Sequence, residues 1–444
     1  MSLERAQLGL TAAIAATCIV SIFAAQVLLA LAVLVFLARL ATGRARVARL
    51  PLDGAILAFS VWTLLSASFS PDPVASHESA KKLVLFALLY VALDSFGVER
   101  ERERILDAAL LGGLVLGAGS LLQYYFLGFD TLQNRPRSFL GHYMTAAGLS
   151  MGVLVLAAAR LVFRREALAL PTRRDWRALS LLAGTLGAVA LLRGSDLLVL
   201  ESERLFVAGL AAAAAAMALS RGAWPGPGTS TALTVLVLPL CSWALLVSRT
   251  RNAWLGTIAG LTVVACLRAP RALWLLPAGL GAILILRPTP IVERLTVMDA
   301  SSRDRFYMWH AGLDMIRDKP VFGQGPGMIQ TVYPDYRWPE APNPMAPHLH
   351  DNFLQIAAER GLPCLAWWLW LMTAAVAGAW REARRGPFGA GWGAVAALAW
   401  LTALLVAGLF EYNFGDSEIL MFTLLVAAVP YAVARQRDSA PLPA

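Results

Sequence analysis

The sequence has little charge for its length. Only 15% of its 444 residues are Asp, Glu, Lys or Arg, whereas 58% are hydrophobic. Soluble domains carry about 25% charged and about 45–50% apolar residues, so this composition argues against a soluble globular protein. A bilayer as the main solvent accounts for both departures, because each spanning helix needs about 20 predominantly apolar residues.

Cysteine is also scarce, and its positions share no spacing typical of a disulfide or a metal site. All four lie in or beside apolar segments, where cysteine acts as a small buried hydrophobe; they are Cys18, Cys241, Cys266 and Cys364. The chain lacks an Asp-x-Asp pair as well, which disfavours a metal-dependent nucleotide-sugar transferase. The sequence therefore predicts neither a metal site nor a cofactor.

What the chain does have is a succession of apolar stretches, which predicts an all-α polytopic membrane protein with about 12–14 transmembrane helices. Several stretches are short, so two neighbours are expected to merge or to re-enter the membrane. The first is interpreted as an uncleaved span. The stretches run approximately over 7–24, 26–41, 51–69, 83–97, 106–126, 142–163, 178–192, 205–220, 231–247, 253–267, 272–286, 362–380, 391–410 and 418–434.

The net charge of +9 is distributed as a topology signal. If the apolar stretches alternate in direction, the arginine-rich loops all fall on one side, which the positive-inside rule assigns to the cytoplasm. These loops contain Arg44, Arg46 and Arg49; Arg100, Arg102 and Arg104; Arg164, Arg165, Arg173, Arg174 and Arg177; Arg268 and Arg271; Arg381, Arg384 and Arg385; and Arg435 and Arg437. Both termini are then cytoplasmic.

One connection on the opposite side is far longer than the usual about 4–6 residues. Residues 287–361 are rich in aromatics and show a helical pattern at 304–318, so we expect a folded, functional loop. The sequence thus predicts three regions. They are N-terminal transmembrane helices (1–286), a large periplasmic loop carrying catalytic residues (287–361), and C-terminal transmembrane helices with a cytoplasmic tail (362–444).

The large loop contains the most informative motif, His348-Leu-His350-Asp351. Two of only five histidines stand two residues apart, just before a helical pattern. The positive end of a helix dipole favours the neutral imidazole, the form that a general base needs. His350 is the candidate base, and His348 and Asp351 are possible substrate-binding residues. Two alternatives stay open: inert loop histidines, or a zinc pair, for which no further ligand lies nearby in sequence.

Two arginines on the same predicted side are candidates for binding anionic phosphate, because the planar guanidinium forms paired hydrogen bonds. Arg251 stands at the outward end of two spans, where it could instead snorkel at the interface. Arg305 lies in the helical pattern of the loop, where it could instead be a solvated charge. A further outward turn contains Arg137 and His142, both possible substrate-binding residues.

Together these segments resemble the bacterial O-antigen ligase and polymerase superfamily, and most closely lipopolysaccharide O-antigen ligase. The resemblance is sharpest from about 248 to 364. It rests on the turn from Arg137 to Thr145, Thr250-Arg251-Asn-Ala-Trp254, Arg305-Phe-Tyr-Met-Trp309, Phe322-Gly-Gln-Gly-Pro-Gly327 and His350 to Gly361. Asp351 stands where the family has Asn, Ser or Gln, and Cys364 replaces a family glycine.

The resemblance implies a metal-independent, inverting glycosyltransferase of the bacterial inner membrane, with its active site facing the periplasm. The donor is O-antigen linked to undecaprenyl pyrophosphate, and the acceptor is the lipid A-core oligosaccharide. Arg251 and Arg305 would hold the pyrophosphate, and His350 would take the acceptor's proton. The alternatives are an O-antigen or exopolysaccharide polymerase, a protein O-oligosaccharyltransferase and, more distantly, a transporter or flippase.

Overall fold

The computed structural model describes residues 2–164, 172–173, 227–271, 285, 300–386 and 391–438. Within these ranges the ordered elements are helices, and no β-strand occurs. This confirms the prediction of an all-α polytopic membrane protein.

The described residues form fourteen α-helices. They are α1 (Leu3–Thr17), α2 (Ile22–Ala41), α3 (Asp53–Ser68), α4 (Pro73–Ala80), α5 (Ala87–Ser95), α6 (Glu99–Phe126), α7 (Tyr143–Phe163), α8 (Pro227–Val247), α9 (Arg251–Arg268), α10 (Ala300–Asp318), α11 (Ile329–Tyr336), α12 (Asn352–Arg385), α13 (Trp392–Ala407) and α14 (Ser417–Asp438). A 3₁₀ helix, Lys81–Phe86, joins α4 to α5, and another, Asn413–Gly415, precedes α14.

Six of these helices are long and apolar enough to cross a membrane, namely α2, α6, α7, α8, α12 and α14. Two others, α3 and α13, are apolar but only 16 residues long. The predicted spans 178–192 and 205–220, and nearly all of 272–286, lie outside the described residues. The multi-pass architecture is therefore confirmed, whereas the number of spans stays a prediction.

Small residues let α9 and α13 pack backbone to backbone. A Cβ atom on Gly256 would lie 2.7 Å from the Ala403 carbonyl oxygen, and one on Gly260 would lie 3.0 Å from that of Ala399. Small residues four apart are the usual device for close helix packing in membranes. Since the higher number on α9 meets the lower number on α13, the two helices run antiparallel.

The same comparison fixes the direction of α7, α9 and α14. On α7, Met151 and Val155 meet Gly256 and Gly260 of α9. Gly148 and Gly152 of α7 meet Ile419 and Phe422 of α14. The three helices are therefore parallel, and they begin at the end of the bundle where α13 finishes. The first residue of α12 also bonds to the turn that follows α13. We call this end, which contains His142, His348 and His350, the histidine end.

The opposite end collects arginines and their partners. Arg102 at the start of α6 donates to Gln436 near the end of α14 (3.0 Å), and Arg160 near the end of α7 pairs with Glu103 (2.8 Å) and Asp107. Arg437 pairs with Glu382 near the end of α12. We call this the basic end. It contains the helix ends that the charge pattern assigns to one side of the membrane.

The described part of the large loop is folded, as predicted, because it has its own hydrophobic cluster. Met308, Ala311, Met315, Tyr333 and Leu349 are all nearly or fully buried there. The predicted helical pattern at 304–318 corresponds to α10, which confirms that element. The loop thus has a defined shape that can hold side chains in fixed positions.

The glycine-rich segment Gly323–Gly327 is a turn, and it holds the loop against α12. Its backbone N–H groups at Gln324 and Gly325 donate to the carbonyls of Ala358 and Glu359 at 2.8 and 2.7 Å. Gly361 is in the left-handed region (φ 81°), and a Cβ atom there would lie 1.9 Å from the Val321 carbonyl oxygen. Only glycine allows this approach, so α12 bends at the end of the large loop.

Candidate functional site

The segment before α12 turns two histidines to the same side of the chain. Leu349 between them is fully buried. Its N–H donates to Gln355 Oε1 at 2.7 Å, and its carbonyl accepts from Trp309 Nε1 at 3.1 Å. Leu349 is thus anchored in the hydrophobic cluster of the loop, whereas His348 and His350 on either side of it are only partly buried. The two imidazole rings lie 4.1 Å apart.

His350 has a left-handed backbone (φ 52°), a conformation that histidine adopts more often than most residues. The chain then enters α12 through Asp351. Its Oδ1 accepts from the N–H groups of Phe353 and Leu354 at 2.7 and 2.8 Å, a typical N-cap. Asp351 therefore starts the helix, and its contact with substrate stays a prediction.

A buried asparagine ties this segment to the turn after α13. The Asn352 side chain is fully buried and donates to Asn413 Oδ1 at 2.7 Å, while its oxygen accepts from the Phe414 N–H at 3.1 Å. Its backbone N–H donates to the Gly408 carbonyl at 2.8 Å. Residues 408–416 are thereby fixed against the start of α12.

Glu411 in this turn is the centre of the site. Its Oε2 lies 2.9 Å from His350 Nδ1 and 3.7 Å from a terminal nitrogen of Arg305. Its Oε1 lies 3.7 Å from His348 Nδ1. The residue is only 5% exposed. One buried carboxylate thus collects three of the residues that the sequence predicts for the site.

The electrostatics of the cluster are consistent with an ionised Glu411 beside a neutral His348. Burial acts to raise the pKa of Glu411, but the hydrogen bond with His350 and the neighbouring His348 and Arg305 outweigh it and hold that pKa below its usual value. Burial lowers the pKa of His348 to about 4, although Glu411 acts in the opposite direction. At neutral pH, His348 is therefore uncharged and Glu411 carries a negative charge.

Arg305 reaches Glu411 from α10. It lies one helical turn before Trp309, so both side chains are on the same face of the helix. Trp309 is the residue that binds the Leu349 carbonyl, and this contact turns that face towards the histidines. The Arg305 side chain is 21% exposed, which leaves part of the guanidinium accessible to a ligand.

The predicted turn with Arg137 and His142 lies at the histidine end as well. His142 caps α7, since its Nδ1 accepts from the Met144 N–H at 3.3 Å. Its imidazole is within electrostatic range of Glu411 and His350. Arg137 is exposed and donates to the Gly141 carbonyl at 3.4 Å. His142 is therefore beside the cluster, and Arg137 is near His142. The contact of either residue with substrate stays a prediction.

Arg251 is the first residue of α9. It precedes Gly256, which is level with Ala403 and Ala407 of α13. Five residues of helix span about 7.5 Å, so Arg251 lies beyond the end of α13, at the level of the turn that contains Glu411. The fold thus brings Arg251 to the histidine end, although it comes from a different helix than Arg305.

This arrangement combines a proton acceptor with a surface suited to anions. When His350 Nδ1 donates to Glu411, its other ring nitrogen, Nε2, carries the lone pair that accepts a proton. Four helices, α7, α9, α12 and α14, begin at this end, and helix starts favour negative charge. The chemistry that fits is proton removal from a hydroxyl group next to a phosphate-bearing molecule.

The same cluster could hold a metal ion. Donor atoms of His348, His350 and Glu411 lie within 4.8 Å of one another. Two imidazoles and one carboxylate are a ligand set that zinc accepts. The adjacent Asp351 caps α12, and the fold supplies the third donor, Glu411, from 61 positions beyond His350.

Comparison with known proteins covers part of the chain that forms this site. Residues 232–369, which include α9, α10 and the two histidines, match a family model described as O-antigen ligase. The match confirms the resemblance to the O-antigen ligase and polymerase superfamily. Members of this superfamily are glycosyltransferase-like ligases and polymerases. No curated protein matches the chain.

Sequence reasoning missed Glu411 and Asn352. The sequence shows Glu411 in a short turn with Asp416 and Glu418 on the same predicted side as the histidines, but nothing in its spacing indicates a partner. Asn352 directly follows the recognised histidine motif. The predicted topology could have pointed to Glu411. It places this carboxylate on the same side of the membrane as the histidines, where the two groups are candidates for pairing.

Proposed function

We propose that this protein is an O-antigen ligase, a lipid-linked-oligosaccharide-dependent glycosyltransferase. It moves O-antigen polysaccharide from undecaprenyl pyrophosphate to the lipid A-core oligosaccharide during lipopolysaccharide biosynthesis. The observation that carries the proposal is the contact of His350 Nδ1 with Glu411 at 2.9 Å, with Arg305 beside the same carboxylate. This contact prepares a base next to a group that binds phosphate.

In the proposed reaction, a hydroxyl oxygen of the acceptor sugar attacks the anomeric carbon of the donor. The bond from this carbon to the pyrophosphate oxygen breaks, and the electron pair leaves with the undecaprenyl pyrophosphate. The hydroxyl proton passes to His350 Nε2. One direct displacement inverts the anomeric centre.

The two arginines are assigned to the leaving group. Arg305 has several N–H donors, so it can keep its contact with Glu411 and still bind a phosphate oxygen. Arg251, from the start of α9, would approach the pyrophosphate from another side. Fixed positive charge where negative charge develops stabilises the transition state, and the proposed mechanism therefore needs no metal ion.

We place the protein in the bacterial inner membrane with the histidine end in the periplasm. The support is the gathering of Arg102, Arg160 and Arg437 at the basic end, which the positive-inside rule assigns to the cytoplasm. A reporter that is active only in the cytoplasm should be silent when fused near Tyr333. Activity of that fusion would contradict the proposed location of the site.

The surface polysaccharide of a deletion strain tests the reaction. Loss of the lipopolysaccharide ladder together with accumulation of lipid-linked polymer is the result that we expect. The catalytic variant His350→Ala, expressed in the same strain, should fail to restore the ladder although it inserts in the membrane. A ladder that persists in the deletion strain would contradict the proposal.

The nearest alternative is a polymerase that joins repeat units, and a protein O-oligosaccharyltransferase is another. Both would use the same donor and the same base with a different acceptor. The deletion strain separates them, because a polymerase defect leaves lipopolysaccharide with a single repeat unit and a protein-linking defect leaves the ladder intact. A transporter or flippase is less consistent with His350, Arg251 and Glu411, which lie at helix ends instead of mid-bilayer.

A further inference from the structure

We infer that Glu411 is the positioning residue of the proposed base. Its carboxylate holds the His350 ring with Nδ1 protonated, so that Nε2 is the nitrogen that accepts the hydroxyl proton. This inference rests on the proposed function. It adds a residue that comes from the turn between α13 and α14, 61 positions away from His350 in the chain.

The burial of Glu411 gives the first support. A buried carboxylate is costly unless hydrogen bonds and positive charges compensate for its lost hydration. Glu411 is 5% exposed, and both of its oxygens are engaged. Oε2 contacts His350 and Arg305, and Oε1 accepts from the N–H of Tyr412 at 3.2 Å. The carboxylate is therefore held in one orientation, which is what a positioning role requires.

The distances separate the two histidines. The gap of 2.9 Å between Glu411 and His350 Nδ1 is that of a hydrogen bond, whereas the 3.7 Å gap to His348 Nδ1 is too long for one. His348 Nδ1 is buried without a hydrogen-bond partner among the described residues. Only His350 is thus held in a defined tautomer by the carboxylate, and His348 is left to contact the sugar or to support the loop.

The charges around the pair come from several elements. Arg305 approaches from α10, His348 from the segment before α12, and His142 from the start of α7. Asp416 interacts electrostatically with Glu411 from the same turn. When His350 takes the proton, the resulting imidazolium lies beside the Glu411 carboxylate and is stabilised by it. The proton on Nδ1 stays on the ring throughout, so Glu411 exchanges no proton.

Glu411→Gln in the full-length purified protein is the first test. The amide keeps the size of the side chain but removes its charge and can present its NH₂ group to Nδ1, which selects the wrong tautomer. Loss of the orienting carboxylate from a Ser-His-Asp triad lowers kcat by about 10⁴, and we expect a fall of about 10²-fold or more with KM little changed. The acid limb of the pH profile should move to lower pH, because the imidazolium loses its neighbouring negative charge.

Two further variants make the test specific. Glu340→Gln is the matched control, since Glu340 is exposed in the same large loop and should retain normal kinetics. Glu411→Asp keeps the charge but withdraws the carboxylate by one methylene. It should give partial activity with an unmoved acid limb. The thermal unfolding midpoint in detergent, measured for each variant, separates loss of fold from loss of chemistry.

The outcomes distinguish this inference from the proposed function. If His350→Ala is inactive while Glu411→Gln turns over normally with the wild-type acid limb, the positioning role is wrong and the proposed base stands. If His350→Ala itself turns over normally, the proposed base is wrong and the role of Glu411 falls with it. If Glu411→Gln does not fold, Glu411→Asp decides, and full activity in that variant overturns the inference.

Discussion

The two ends of the helix bundle both pair basic side chains with carboxylates, but they surround their most buried partners differently. At the basic end, Arg160 is shared by Asp107 and Glu103, and Glu103 also accepts from Trp392 at 2.6 Å. At the histidine end, three nitrogen-bearing side chains (His348, His350 and Arg305) share the single carboxylate of Glu411. Two carboxylates thus satisfy the buried charge of Arg160, whereas the cluster around Glu411 keeps capacity for a further anion. The comparison suggests a structural role for the basic end and a catalytic role for the histidine end.

The largest expected effect comes from replacing the two arginines of the histidine end. Arg251→Ala and Arg305→Ala should each lower transfer by about 10²–10³-fold, the usual cost of losing one group that stabilises transition-state charge. Arg→Lys at either position should restore only part of the activity, because the bidentate fork is lost. Transfer from purified lipid-linked donor is the measurement. A fully active alanine variant would remove that arginine from the site.

Arg160→Ala is the matching change at the basic end, and we expect the opposite result. It leaves Asp107 and Glu103 buried without their main cation, and breaking a buried ion pair costs about 3–5 kcal/mol. The thermal unfolding midpoint in detergent should fall clearly, while turnover per folded molecule stays near normal. An unchanged midpoint together with lost turnover would mean that the two ends do not divide stability and catalysis in this way.

Metal ions test whether the arginines of the histidine end supply the positive charge for the reaction. In the proposed mechanism the arginines supply the positive charge, so EDTA should leave turnover of the purified enzyme unchanged. Added Zn²⁺ should inhibit, because His348, His350 and Glu411 can bind it together and the base is then blocked. Restoration of activity by EDTA is the control. Turnover that EDTA abolishes and Mg²⁺ or Mn²⁺ restores would refute the metal-free mechanism.

The smallest expected effect concerns Asp416. Burial raises its pKa from 3.8 to about 7, although the hydrogen bond from Thr145 acts in the opposite direction. The folded protein therefore binds this proton more tightly than the unfolded chain. Its contribution to stability is complete below about pH 4 and is lost as the pH rises through about 7.

Asp416→Asn removes this titration and keeps an acceptor for the Thr145 hydroxyl. The variant should have a higher unfolding midpoint than the wild type at pH 8, and the difference should shrink at pH 5. A difference that is the same at both pH values would show that Asp416 does not titrate in this range.

The sequence predicted the residues of the histidine end better than their contacts. His348, His350 and Arg305 could be found because their motifs are local, and the alternation of apolar stretches placed Arg251 at the same end. The contact of His350 with Glu411 could not be found in this way, since it joins residues 61 positions apart. It depends on Asn352, whose buried side chain fixes the turn after α13 against the start of α12.

Helix boundaries were less predictable for a physical reason. The expected span 83–97 is divided between a 3₁₀ helix ending at Phe86 and the nine residues of α5. Apolar composition shows that such a segment is buried, but it does not fix the hydrogen-bond pattern of its backbone. Asp351 is a further example, because a side chain that caps a helix and one that contacts a substrate look alike in a sequence.

The most direct test of the central claim, that His350 is the base, is turnover of purified variants across pH 5–8 with lipid-linked donor and core acceptor. Removal of a general base costs about 10²–10⁴ in rate, so His350→Ala should lose detectable ligation while it still binds the donor lipid. His348→Ala, the matched control in the same segment, should keep a measurable fraction. The wild-type rate should fall as the pH drops, because a protonated imidazole cannot accept a proton. Near-normal turnover of His350→Ala, or an unchanged acid limb in that variant, would contradict the account.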